Sequence, residues 1–362
     1  MIAILTSGVA LGVHVPGLLL ADRLRERGMR ARVDVLERLL PPEKLATTDR
    51  MKWAFHRAFR TALTGQKLAS NPADAASQAS VEALFARWRA QDVRRFVVFS
   101  GFWLDVLARY SRTSSQPLAV DVCHVDSVLS PSTSHRVEGI PVRHVWLADA
   151  QTGRLPCTIP VTHEPVVAWS ARSRLLLHGG GWGIGTYRDQ VATLRDAGFE
   201  LDVVAYESRD VSADDPGIRH WMIDPAWHPW LDDGYPPFGR LAPDGSVSYR
   251  RGTGRHASFE VTRHAVATVS KPGGGTLLDS LWSATPAIFL DPFGGHEQRN
   301  AELWQHLGFG LTLDAWRQSG YALEPLHRMH LALRAARDAV DDYSEHVAGL
   351  AGQAADAHSR SS

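Results

Sequence analysis

Residues 269–301 read VSKPGGGTLLDSLWSATPAIFLDPFGGHEQRNA, and the order of residue types in this stretch decides the fold. The apolar run HAVATVS ends as a strand at Ser270. Gly273, Gly274 and Gly275 follow, and glycines let backbone N–H groups come close to an anion. A helix is predicted from about Thr276, and its first amides favour phosphate. Asp279 lies one turn in, placed to accept hydrogen bonds from ribose hydroxyls, and Lys271 adds positive charge beside the turn. The helix stops before Pro286, and a second strand, AIFLD, leads to a loop carrying His296, Glu297 and Gln298. These three side chains suit the hydroxyls of a sugar.

Outward from this stretch, the same strand, glycine turn and helix recur. SRLLLH is followed by GGGWGIG at 179–185 and then TYRDQVATLRDAG. Near the start, IAILTS is followed by GVALGVHVPG and LLLADRLRERG. The helices lead into further strands, ARVDVLE and ELDVVAY, and RFVVFSG with FWLDVLARY is another such unit. Alternating strands and helices predict parallel sheets covered on both faces, with ligands at the carboxyl ends of the strands. The Ser-, Pro- and Gly-rich stretch at 126–165 is expected to be loops and a linker. The Trp- and Pro-rich stretch 211–255 reads as a surface insertion, with Trp221, Trp227 and Trp230 as an apolar or ring-shaped acceptor surface, a lid or a dimer contact. One long helix is expected over about 323–350, followed by a polar tail. MKWAFHRAFRTAL at 51–63 puts Met51, Phe55, Ala58, Phe59 and Ala62 on one helix face, away from Lys52, His56, Arg57 and Arg60. Two readings fit: a helix touching a membrane or lipid-like acceptor, or an ordinary surface helix packed on the sheet.

The 362 residues suffice for two domains. A formal net charge of zero gives no broad attraction to nucleic acid or anionic membrane. Two cysteines, Cys123 and Cys157, are too far apart for a CxxC motif, so a reduced, cytoplasmic protein is expected. The apolar start is broken by Gly8, Gly12, Pro16 and Gly17 and reads as strand, turn and helix rather than a signal peptide. No apolar run is long enough to span a membrane. There is no Walker A loop, no GxSxG elbow and no paired-ligand metal motif; the pair His327 and His330 at helical spacing reads as a solvated face.

SKPGGGTLLDSL and GHEQRNA together resemble the nucleotide-sugar glycosyltransferases of families 28 and 1. Asp279 stands seven residues before Pro286, where those families carry a ribose-binding Glu, and GHEQRNA is similar to their GQExxNA pattern. The N-terminal GVHVPGLLLA resembles their GHVxPxLxLA, with His14 displaced by one position. The resemblance implies a GT-B fold: two doubly wound Rossmann-like α/β domains facing across a cleft. It implies an acceptor-binding domain at 1–165, a nucleotide-sugar-binding domain at 166–330, and a terminal segment, 331–362, returning to the first domain. It further implies inverting, metal-independent transfer of a sugar to a hydroxyl or amine of a small-molecule or lipid-like acceptor. The nucleotide sugar is a substrate, and neither a cofactor nor a metal is called for. Gly180, Gly181, Lys271, Gly273, Gly274, Gly275, Thr276, Asp279, His296, Glu297 and Gln298 are then donor-binding candidates. His14 is the candidate base, with Asp126, His124 and Asp105 as replacements. A nucleotide-sugar hydrolase or epimerase, or a non-catalytic partner protein, are the rival readings of the same fold. Oligomeric state stays open.

Overall fold

The structure, a computed structural model, describes residues 1–68, 70–134, 139–211 and 215–350. Twelve strands fall in two sheets among these residues. The first contains β1 (Ile2–Thr6), β2 (Ala31–Val35), β3 (Arg95–Val98), β4 (Ala119–His124) and β5 (Val142–Trp146), in the order β2-β1-β3-β4-β5. The second contains β6 (Arg174–Leu177), β7 (Leu201–Ala205), β8 (Ile218–Ile223), β9 (Phe238–Arg240), β10 (Ala265–Ser270), β11 (Ala287–Phe289) and β12 (Gly310–Thr312). Its order is β12-β11-β10-β6-β7-β8-β9, parallel throughout except for β9.

In the N-terminal half the helices are α1 (Leu11–Glu26), α2 (Pro42–Arg57), α3 (Phe59–Leu68), α4 (Gln78–Ala90) and α5 (Leu104–Ser111). The C-terminal half has α6 (Val191–Asp196), α7 (Phe259–His264), α8 (Gly274–Ser283), α9 (Gly295–His306), α10 (Leu313–Gln318) and α11 (Leu323–Ala339). Strands buried on both faces, such as IAILT and AVATVS, explain the near-continuous apolar runs of the sequence. Among the described residues no helix is long and apolar enough to cross a membrane.

Topology places the site. In the second sheet the chain runs from β6 outward through β7 and β8, then returns to β10 on the other side of β6. Leu177 of β6 is paired with Val269 of β10, so the two glycine turns that follow these strands emerge side by side. This reversal of strand order is where open α/β sheets leave a crevice.

Three expectations are corrected. The stretch at 126–165 contains a fifth strand, β5, whose residues Val142–Trp146 pair with β4 at the sheet edge. The stretch 211–255 is not an insertion: β8 pairs with β7, and Trp221 is spent on Asp202 (Nε1 to Oδ1, 2.8 Å) and on stacking with Phe238. It also joins the halves, because Arg38 Nε donates to Trp230 O at 3.2 Å and Tyr235 Oη to Asp22 Oδ2 at 2.8 Å. Finally, the helix expected over 323–350 breaks after Ala339. Val340 is extended, and Asp342 Oδ1 accepts from Ser344 N at 2.7 Å to start a new turn. Beyond the break, Tyr343 and Val347 pack with Ile2, Ile4 and Leu20, and Tyr343 Oη donates to Asp121 Oδ2 at 2.8 Å, so the segment carrying these two residues lies on the N-terminal half. The polar tail expected from 351 on lies outside the described residues.

Candidate active site

A cavity of about 1090 Å³ lies between the halves, lined by the turns after β1, β4, β6 and β10. At its floor, α8 begins at Gly274 with no side chain capping it. The amides of its first turn therefore lack intrahelical acceptors and point as a group toward the cleft. Gly274 and Gly275 have a reason beyond anion access. A Cβ on Gly274 would lie 2.8 Å from Val125 O, and one on Gly275 3.1 Å from Gly12 Cα. The halves touch backbone to backbone here, and a side chain would wedge them apart. In the neighbouring turn Gly180 has φ +71°, while Gly181 packs under Leu11.

Lys271 sits where the two turns meet. A methyl group on Gly180 would be 3.8 Å from its Nζ and one on Gly273 3.1 Å. Nζ donates to Glu297 Oε1. Glu297 is buried, and its Oε2 accepts from Phe293 N at 2.7 Å. His296 lines the cavity beside it. The expected loop at 296–298 is instead the first turn of α9, and helical rotation turns Gln298 outward, where it donates to Glu302 at 3.1 Å. Gln298 is thereby removed from the cavity-lining set. Thr276 and Asp279 line the same floor.

His178 and His256 also line the cavity, and the sequence reading passed over both. His178 immediately precedes the triple glycine; its Nδ1 accepts from Gly180 N at 3.0 Å, and burial lowers its pKa to about 4. His256 lies in the irregular approach to α7, where neither periodicity nor a motif marked it.

Across the cleft, Asp126 follows β4 and lines the cavity. Asn300 Nδ2 donates to Asp126 Oδ1 at 2.8 Å and to Pro272 O at 2.9 Å, and Asn300 Oδ1 accepts from Ser127 N at 2.7 Å. This fully buried amide fixes Asp126 directly against the Lys271–Thr276 turn.

His14 is a correction. It falls inside α1 rather than in the loop, and one residue of displacement rotates a side chain by about 100°. Val13 lines the cavity, while His14 is 1% exposed, 3.0 Å from Thr6 Oγ1 and beside Trp227. Burial, followed by the nearby Arg38, lowers its pKa to about 3. His124 is likewise withdrawn, stacked on Trp146 at 3.9 Å with its pKa lowered to about 4 by burial. Asp105 begins α5 at the surface, where Asn71 Nδ2 donates to it at 3.1 Å.

The turn after β1 is not open to an anion at its first amides. Glu37 is fully buried and accepts from Ser7 Oγ at 2.6 Å, Gly8 N at 2.6 Å and Val9 N at 3.3 Å. Burial pushes this carboxyl up, and the three donors oppose that shift. An internal carboxylate thus occupies the N-terminal turn, whereas the corresponding end of α8 is uncapped.

The remaining wall mixes polar residues, such as Lys44, Thr47, Gln66 and Asp74, with a group of large apolar side chains. Met51, Phe55, Phe102, Trp182 and Phe293 line it. The 51–63 stretch is two helices, broken at the extended Ala58, and of its expected apolar face Met51 and Phe55 line the cavity. Trp221, Trp227 and Trp230 are absent from this lining. His56 anchors the helices to the other half: Nδ1 is 2.9 Å from Gly183 O and Nε2 2.9 Å from Asp210 Oδ2. His56, Glu207 and Asp210 are the one metal-like cluster among the described residues. Arg188 pairs with Asp210 at 2.6 Å, and Arg57 and Arg209 pair with Glu207 at 3.0 and 2.7 Å. Three guanidinium groups already neutralise its carboxylates.

No protein-family model and no curated protein sequence matches the chain. Solved structures do. The glycosyltransferase SnogD from Streptomyces nogalater is similar with a TM-score of 0.57 at 15% identity, over 98% of this chain and 99% of that one. The spinosyn rhamnosyltransferase SpnG complexed with thymidine diphosphate gives 0.52 at 12% identity, over 97% and 100%. Acinetobacter baumannii MurG gives 0.51 at 12%, over 96% and 98%. At these identities the likeness establishes the fold, and the fold is GT-B.

Proposed function

We propose that the protein is a glycosyltransferase that moves a sugar from a nucleoside diphosphate to an acceptor hydroxyl, with inversion and without a metal ion. The observation that carries this reading is the position of Lys271, between two glycine turns and at the uncapped start of α8. A cation and a set of aligned amides in one crevice match the charge that develops on a departing diphosphate. Two of the similar structures are of named glycosyltransferases, and that of SpnG carries thymidine diphosphate.

On this reading the C-terminal half holds the donor and the N-terminal half the acceptor. Asp126 takes the proton of the acceptor hydroxyl. The acceptor oxygen forms its bond to the anomeric carbon as the bond from that carbon to the β-phosphate oxygen breaks. The nucleoside diphosphate leaves with the electron pair, met by the α8 amides and Lys271. Asp279 accepts from the ribose, and His296 and Glu297 stand at the sugar. The apolar wall formed by Phe55, Trp182 and Phe293 favours an acceptor with a ring or acyl surface.

The test is turnover of UDP- and dTDP-sugars with a panel of apolar hydroxyl acceptors, with and without excess EDTA. Glycoside formation that survives EDTA is expected. Activity lost in EDTA and restored by Mn²⁺ contradicts the metal-free mechanism. Acceptor-independent release of nucleoside diphosphate, with no glycoside formed, replaces transfer with hydrolysis.

A further inference from the structure

Val35 at the end of β2 is paired with Thr6 at the end of β1, and two residues further on Glu37 meets the turn that follows β1. Its carboxyl takes the Ser7 hydroxyl and the amides of Gly8 and Val9. Each of these donors has one hydrogen, and each hydrogen is spent on Glu37. Ala10 N is spent as well, on Ser7 O at 3.4 Å. The amides of Leu11 and Gly12 make no hydrogen bond to a described residue, but they begin α1 where Gly12 meets Gly275, at the donor crevice. Pro229 and Trp230 cover Gly8, where an added Cβ would lie 2.9 Å from Pro229 Cβ.

Ser7 and Val9 line the cavity on the side of Asp126. The charges that the N-terminal half adds to this lining do not favour an anion. Lys44 is its cation and is exposed, while Asp74 and Asp126 carry the opposite sign. Lys271, across the cleft, is paired with Glu297 and serves the departing diphosphate. A phosphate group on an acceptor brings about −1.5 to −2 charges at pH 7 and calls for hydrogen-bond donors. On the acceptor half it meets neither free donors at the turn nor a surplus of positive charge. We infer that Glu37 is a specificity-determining residue: it fills from within the turn that would receive an acceptor phosphate, so the site takes hydroxyl compounds without a phosphate group and rejects their phosphate esters. This inference deepens the transfer reading above and rests on it.

The test takes each hydroxyl compound that is glycosylated and compares it with its own phosphate monoester, one hydroxyl left free, and with the dimethyl ester of that phosphate, which keeps the bulk without the charge. In wild-type protein kcat/KM for the monoester is expected to lie at least about 10-fold below that of the parent and of the dimethyl ester, the scale of an uncompensated like-charge contact. In Glu37→Ala three donors are released and a carboxylate is gone, so the monoester is expected to come within about threefold of the parent. Damage to the fold alone would lower all three acceptors by the same factor. Inorganic pyrophosphate gives a second readout, added to protein whose donor crevice is already filled with nucleoside diphosphate. Calorimetry is expected to show no further anion site in wild-type protein and one in Glu37→Ala. A monoester that turns over as well as its parent, or a pyrophosphate site in the nucleotide-loaded wild type, overturns the inference and leaves transfer standing. So does a folded Glu37→Ala that binds no pyrophosphate. If Glu37→Ala does not fold, the wild-type comparisons decide. If no acceptor is glycosylated, the transfer reading falls and this inference falls with it.

Discussion

Asp126→Asn lowers turnover by about 10²–10⁴-fold, the usual contribution of a positioned general base, while the dissociation constant of the nucleoside diphosphate changes by less than about threefold. Asn keeps the shape and can still meet Asn300, but it cannot take a proton. The split between turnover and affinity follows from position: Asp126 belongs to the N-terminal half, opposite the amides of α8. His14→Gln is the control. His14 is buried and faces Thr6 rather than the cavity, so this variant is expected to lose stability and keep turnover within about threefold per folded molecule. Steady-state rates and melting temperatures on the two variants check this. Near-normal turnover in Asp126→Asn, with loss in His14→Gln, contradicts the assignment of the base.

Lys271→Met has two separable effects. It removes the cation beside the departing phosphate, and turnover is expected to fall by about 10²–10³-fold. It also leaves Glu297, 3% exposed, without its cationic partner, which costs about 3–5 kcal/mol of stability for a broken buried pair. The double variant Lys271→Met/Glu297→Gln separates them. With the buried charge gone, its melting temperature is expected to return most of the way to wild type while turnover stays low. A double variant that recovers turnover together with stability would show that Lys271 serves only to neutralise Glu297.

The sequence reading succeeded where one chemical requirement acts locally. The glycine turn leading into α8 and the buried parallel strands each follow from neighbours along the chain. It stopped where a residue's role depends on the other half. Gly274 and Gly275 looked like anion-approach glycines, but their closest neighbours are Val125 and Gly12. His14 looked like a loop base because the sequence alone does not locate the first turn of α1, and a single position decides whether the ring meets the cavity or the core. His256 and Asn300 act across 23 and 174 residues of chain, through partners that no spacing rule connects. The strand β8 was hidden by its composition. IRHWMI carries Arg, His and Trp that look like surface chemistry, yet Arg219 and Trp221 both hydrogen-bond Asp202 on the adjacent strand.

The central claim is that the crevice at the start of α8 holds a nucleoside diphosphate. Calorimetric titration of the protein and of Asp279→Ala with UDP, dTDP and GDP tests it most directly, with thermal melting in parallel. One site per chain is expected for at least one of the three ligands. At about 100 times its dissociation constant, that ligand should stabilise the fold by about 2.7 kcal/mol. Asp279→Ala should weaken the affinity by roughly 10–150-fold, the worth of a hydrogen bond to a charged group. Absence of binding and of any melting shift with all three nucleotides, or binding that Asp279→Ala leaves unchanged, would contradict the account.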